Sequence, residues 1–326
     1  MDSRKRNGAP WAAALLILAT AGVAPAVDPA LLKLVIPGAR VVGGVNVTTA
    51  KTSPFGQYIL SRMQNEDKNL QQFIAMTGFD PRRDLNEVVV ASAGQKDQKT
   101  GIVAVNGNFQ VSRILALAAQ QGQTVQNYGG AGVITGGHAH DNGWVAFLGP
   151  ATALAGDPAS VKTVLDNRAS AGLKPDLAAR AQALSARYQA WFLSTVPVSE
   201  LTGKVPEVSG AAPKARGDFF QGVQELSGGV LFGSQVEIGI DATTRSGRDA
   251  QALADVVRFL AGMVQQNQNN PQSVLLSKIL DTLQLKTEGP VTSINLSIAE
   301  QDLEKLLMHG PEGRATARLD SPRGRR

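Results

Sequence analysis

Two of the three histidines in this chain stand in ITGGHAHDNGW, residues 134–144, as His138 and His140, with Asp141 beside them. If 138–140 is extended, both imidazoles project to the same side, because strand side chains alternate. A pair so placed can ligate a metal ion, which makes His138 and His140 the metal-ligand candidates of the sequence. A stable zinc site wants a third protein ligand. Asp141 would face away from the pair in a strand, and His309 falls at the end of the last expected helix. Asn142-Gly143 between apolar strands is instead a strong short signal for a tight hairpin turn, whose central residues need positive φ. The turn expected in the same place of the second half, Thr287-Glu288-Gly289-Pro290, has no histidine. Ligand count therefore favours a hairpin tip over a metal centre.

Other chemical patterns are weaker. GGAGVITGG has Gly130 and Gly132 but Thr135 where a dinucleotide fingerprint needs its last glycine, and a strand rather than a helix is expected after it. Neither a phosphate-binding G-x-x-x-x-G-K-[ST] loop nor a G-x-S-x-G nucleophile elbow is present, and with no cysteine there is no thiol nucleophile. Asp80, Asp157 and Glu300 stand where helices start, and an anion there favours the positive end of the dipole. Lys51, Arg82, Arg83 and Asp84 form a candidate polar cluster, for which a solvated face is the plainer reading. No catalytic residue and no cofactor site emerge.

The elements that carry these residues follow from pattern. RVVGGVNV (40–47) reads as a buried strand, and the stretch after it as a helix entered through Ser53 with Pro54 at its first position. FDPRRDLNEVVVAS gives an Asp80-Pro81 turn and a strand at Val88 to Ala91; GIVAVNG gives the next strand. Val111, Ile114, Leu115 and Ala118 form one helical stripe. Four short strands follow, then Asp157-Pro158 and a helix with Val161, Val164 and Leu165. After a helical connector near 176–187 the order repeats: AWFLS, GVLFG, VEIGIDATT, a long amphipathic helix over 249–265, a hairpin, and a helix that Ser297 and Glu300 would enter as a capping box. The expected fold is α+β, a duplicated unit of mainly antiparallel sheet with amphipathic helices packed on one face. The expected divisions are 1–26 as a signal peptide, 27–186 and 187–309 as the two units, and 310–326 as a disordered basic tail. The Pro/Gly-rich stretch KVPEVSGAAPKARGDFF is an expected mobile linker.

The ends of the chain speak to compartment. Arg4, Lys5 and Arg6 precede an uncharged apolar run from Trp11 to Val23, and Ala24-Pro25-Ala26 offers small residues for cleavage. That run is about 13 residues, shorter than the roughly 20 that cross a bilayer, so a cleaved secretory signal and a periplasmic or extracellular protein are expected. The formal net charge is +5. The signal region and the Arg-rich tail account for all of it and leave residues 27–309 neutral. Nucleic-acid binding, which needs a basic stripe on the body, is therefore not expected. The tail remains a candidate for contact with a membrane surface.

LVIPGARVVGGVNV, SPFGQYIL, TGFDPRRDLNEVVVAS and WVAFLGPATALAGDPASVKTVLD together resemble a set of secreted bacterial proteins of unknown function, FDPRRDL being the most specific element. The resemblance implies export and an α+β layout. It implies no activity and no site residues. Function classes stay open: an exported non-enzymatic binding or interaction protein with an envelope or extracellular partner; an extracytoplasmic hydrolase or metal-dependent enzyme using the His138/His140 turn; or an envelope carrier of lipid or another apolar ligand, which would require a cavity.

Overall fold

The computed structural model describes residues 26–63, 68–95, 100–136, 143–170, 172–202, 222–266 and 271–309. Residues 1–25 of the expected signal peptide, the whole Pro/Gly-rich linker and the basic tail lie outside them. Among the described residues twelve strands form one sheet in which each neighbouring pair is antiparallel.

The first half runs α1 (Pro29–Leu32), β1 (Val41–Asn46), α2 (Val47–Thr52), α3 (Pro54–Met63), α4 (Lys68–Thr77), α5 (Pro81–Asp84), β2 (Leu85–Ser92), β3 (Gly101–Gly107) and α6 (Val111–Gln120). It continues with β4 (Thr124–Tyr128), β5 (Ala131–Thr135), β6 (Trp144–Phe147), β7 (Thr152–Gly156), α7 (Pro158–Asp166) and α8 (Pro175–Arg187). The second half runs β8 (Ala190–Ser194), α9 (Val198–Thr202), β9 (Val223–Phe232), β10 (Gln235–Thr244), α10 (Gly247–Gln266), α11 (Pro271–Leu280), β11 (Gln284–Glu288), β12 (Val291–Ala299) and α12 (Glu300–His309).

The spatial order is β11-β12-β10-β9-β8-β1-β2-β3-β7-β6-β5-β4. β1 and β8 sit side by side at the middle. Going outward from that pair, one side reads β1-β2-β3-β7 and the other β8-β9-β10-β12, with the last strand of each series followed in the chain by a helix.

Strand alternation splits the core into two layers. On the front, Val42, Val89, Ala91, Ile102, Ala104, Leu154 and Val133 share a buried cluster with Leu31 and Leu32 of α1, Val161, Val164 and Leu165 of α7, and Ala181 of α8. On the back, Val111, Ile114 and Leu115 of α6 pack against Val105, Phe147 and Ala153, and Leu253 and Val257 of α10 pack against Leu226 and Ala242. The helical stripes read from the sequence thus face the sheet. The back bears amphipathic helices on both halves, as expected, while α1, α7 and α8 add a layer on the front of the first half.

Two local expectations are corrected. Ser297 does not cap α12: it lies in β12 opposite Glu237, and its hydroxyl donates to Gln235 Oε1 at 2.5 Å. The nine-residue pairing with β10 claims the backbone that a capping box would need. Gly143 does not have the positive φ expected of it, and Asn142 with the rest of the expected turn lies outside the described residues. A tight turn is described at Gly129-Gly130, both at positive φ between β4 and β5, and its counterpart in chain order is Gly289 between β11 and β12. The helix entered through Ser53 is α3, as expected, with Pro54 at its first position and the Ser53 hydroxyl as its cap; the residues before it form a further short helix, α2, which the extended Ser53 ends.

Candidate functional site

The back face carries an apolar groove of about 310 Å³ where the two halves meet. Its floor is Val45 of β1 with Phe232 of β9, its roof is Val47, Ala50, Phe55, Gly56, Ile59 and Leu60 from α2 and α3, and Pro81, Arg82 and Leu85 close one side.

Local sequence explains the roof. Ser53 ends α2, its hydroxyl donates to Ala50 O at 2.7 Å and accepts from Gly56 N at 3.0 Å, and Pro54 begins α3, where a missing N–H costs nothing. A Cβ at Gly56 would collide with the Ala50 carbonyl oxygen, so only glycine lets the two helices fold back this closely. The turn aims Phe55 at the sheet, where its ring stacks on Phe232 with centroids 5.5 Å apart and planes 17° apart.

The side wall is the FDPRRDL segment. Asp80 caps α5 by accepting from Arg82 N at 3.0 Å, and its carboxylate also takes the Arg82 guanidinium at 2.9 and 2.8 Å. Asp84, 5% exposed, accepts from Arg83 at 2.8 and 2.7 Å and from Asp80 N at 2.8 Å. Hydrogen bonds from Arg82 and Arg83 respectively hold the Asp80 and Asp84 carboxyls below the usual range, against the opposing effect of burial. Lys51 Nζ donates to Leu85 O at 2.9 Å and so ties α2 to this wall. The expected polar cluster of Lys51, Arg82, Arg83 and Asp84 is therefore the frame of the groove. Its charges are paired with carboxylates and carbonyls, and the groove they frame is lined almost entirely by carbon.

The two stretches SPFG and FDPRRDL, read separately in the sequence, thus build one groove. Phe79 of the second also stacks on Phe109 at 5.0 Å, anchoring the wall to the back core. Sequence reasoning missed Phe232, whose partner comes from the other half of the chain, and did not single out Leu60 or Leu85. Asp157, of the ALAGD stretch, caps α7 through Ser160 N at 2.9 Å and accepts from Gly101 N at 3.0 Å on the opposite face.

His138, His140, Asp141 and Asn142 lie outside the described residues, and His309 is the last residue of α12. Among the described residues no group of three or more His, Cys, Asp and Glu is placed to hold a metal ion, and no helix is long and apolar enough to cross a membrane.

No family model and no curated protein matches the chain. The structure is similar to solved structures of TP0453: crystal form I at 12% identity with a TM-score of 0.45, form III at 10% and 0.49, and form IV at 11% and 0.48. Each comparison covers 85% of this chain and 95 or 96% of the TP0453 chain.

Proposed function

We propose that this protein is an exported, non-enzymatic binding protein of the bacterial envelope whose ligand is a small apolar molecule or acyl chain held between α2–α3 and the sheet. The observation that carries this reading is the groove of about 310 Å³ whose wall is almost entirely carbon. That volume lies at the lower end of the roughly 300–1,000 Å³ typical of small-molecule sites, which are mostly apolar with a few fixed polar groups. The basic n-region, the apolar run and Ala24-Pro25-Ala26 support export, as does the resemblance of SPFG and FDPRRDL to secreted bacterial proteins. The matching series β1-β2-β3-β7 and β8-β9-β10-β12 supports an origin by duplication, with the groove at the seam of the two copies.

The test is titration of the full chain with 1-anilinonaphthalene-8-sulfonate, whose fluorescence rises on entering apolar sites. Ile59 borders the groove and is 36% exposed, so Ile59→Glu places a charge there at little cost to folding. Saturable binding that is lost in Ile59→Glu but kept in Phe259→Glu, on the outer side of α10, is expected. Equal binding in both variants and the wild type would reject the groove as the site.

A further inference from the structure

A second concavity, of about 260 Å³, lies on the front face of the second half, where β10, β12 and β11 carry polar side chains. Its centre is Tyr188. This residue is 5% exposed, yet its hydroxyl has no hydrogen-bond partner among the described residues and borders the cleft. Two glycines opposite each other in the β9–β10 ladder make room for it. A Cβ at Gly229 would strike the base of the Tyr188 side chain, and one at Gly239 would strike its hydroxyl. The phenol therefore lies across both strands with its oxygen directed toward β12, where Asn295 stands opposite Gly239.

Polar groups of several kinds line the same cleft. Arg187 sits over the Tyr188 ring at 4.9 Å from its centroid, and Gln284 of β11 stands opposite Asn295. Glu237 lies two residues before Gly239 on the same face and opposite Ser297. Neither Arg187 nor Glu237 makes an ion pair among the described residues. Asp241, the next acid along β10, is taken by Ser293 Oγ at 2.6 Å. Burial pushes the Tyr188 hydroxyl up from its usual pKa, so it stays protonated and able to donate at neutral pH.

The Tyr188 hydroxyl is the accessible end of an otherwise buried side chain, fixed in place and open to whatever enters the cleft. One cation and one anion on the same cleft leave no net attraction for a simple anion or a simple cation. Neutral hydroxyl groups both donate and accept, and so suit a lining that mixes a donor-only guanidinium, an acceptor-only carboxylate, two carboxamides and a phenol. The volume falls below that of drug-sized sites and matches a single ring. We infer that this cleft binds one sugar ring of a glycan, with the Tyr188 hydroxyl donating to a ring substituent and Glu237, Asn295 and Gln284 holding its hydroxyls. The site is separate from the apolar groove on the other face and does not depend on it.

The test is isothermal titration of the full chain with methyl glycosides of glucose, galactose, mannose and N-acetylglucosamine, with alanine and inorganic phosphate as charged comparators. Binding of at least one glycoside is expected. Tyr188→Phe, which keeps the ring and the fold, should weaken it by about tenfold, the value of one well-made hydrogen bond. Ile59→Glu should leave glycoside binding unchanged while abolishing dye binding, so the two sites fail or stand separately. Absence of binding by every glycoside, equal affinity in Tyr188→Phe, or preference for alanine or phosphate would each overturn the assignment.

Discussion

The two halves of the sheet share an order of strands and differ in what covers them. Over β3 and β7 both faces are packed, and their sequences GIVAVNG and TALAG are nearly continuous apolar runs. Over β10 and β12 the back is packed against α10 while the front carries Glu237, Asp241, Ser293, Asn295 and Ser297, so VEIGIDATT and VTSINLSIA alternate. α8 reaches the front of β9 through the Arg180–Glu225 ion pair at 2.8 Å. One strand order therefore supports either a three-layer or a two-layer packing, and the alternation of a strand records which. The two proposed sites follow the same division, the apolar groove lying at the seam of the halves on the back and the polar cleft on the front that no described helix of the second half covers.

The comparison is tested most strongly by truncating the first half's front layer. Leu154 is fully buried between β7 and the front helices, and Leu154→Ala should cost about 2–5 kcal/mol in denaturant unfolding. The uncovered counterpart, Ser293→Ala, loses its hydrogen bond to Asp241 and should cost about 0.5–1.5 kcal/mol. Equal losses would mean that the front of the second half is packed after all. Gly56→Ala should cost about 1–3 kcal/mol, because the backbone at Ala50 must give way, and should weaken dye binding in the groove.

The groove's frame gives a dependence on acid. The folded-state pKa of Asp84 is lowered, chiefly by hydrogen bonds from Arg83, so its stabilisation is complete above the unfolded value of about 3.9 and is lost as pH falls through the lower folded value. Asp84→Asn should cost about 1–3 kcal/mol at neutral pH. Thermal melts should show that difference shrinking below about pH 4. A difference independent of pH would mean that the carboxylate charge contributes nothing.

The smallest effect is expected at the histidine stretch. Replacing His138 and His140 with Ala should shift stability by no more than about 0.5 kcal/mol. Stoichiometric zinc in the untagged wild type, lost in the double variant, would restore the metal-dependent reading.

Much of this was legible along the chain and little of it across. Ser53-Pro54 and Asp80-Pro81 announce helix starts, and the stripes at 111–118 and 161–165 face the sheet as periodicity requires. KNLQQFIAMT was overlooked although Leu70, Phe73 and Ile74 carry helical spacing. Ser297-Glu300 misled because a capping box is local, whereas the strand that displaced it is held by β10. Gly56 is an ordinary glycine until the Ala50 carbonyl folds over it, and the Phe55–Phe232 stack joins residues from opposite halves. Gly143 lacks the positive φ expected of it, whereas Gly129-Gly130, which were not singled out as a turn, have it at both residues where β4 and β5 meet in register.

The most direct measurement is native mass spectrometry of the protein recovered from a bacterial envelope or secreted fraction. A chain beginning near Val27 and carrying an apolar adduct at one-to-one stoichiometry is expected, the adduct being extractable into organic solvent and absent from Ile59→Glu. A cytoplasmic protein retaining Met1, or an adduct held equally by Ile59→Glu and the wild type, would contradict the account.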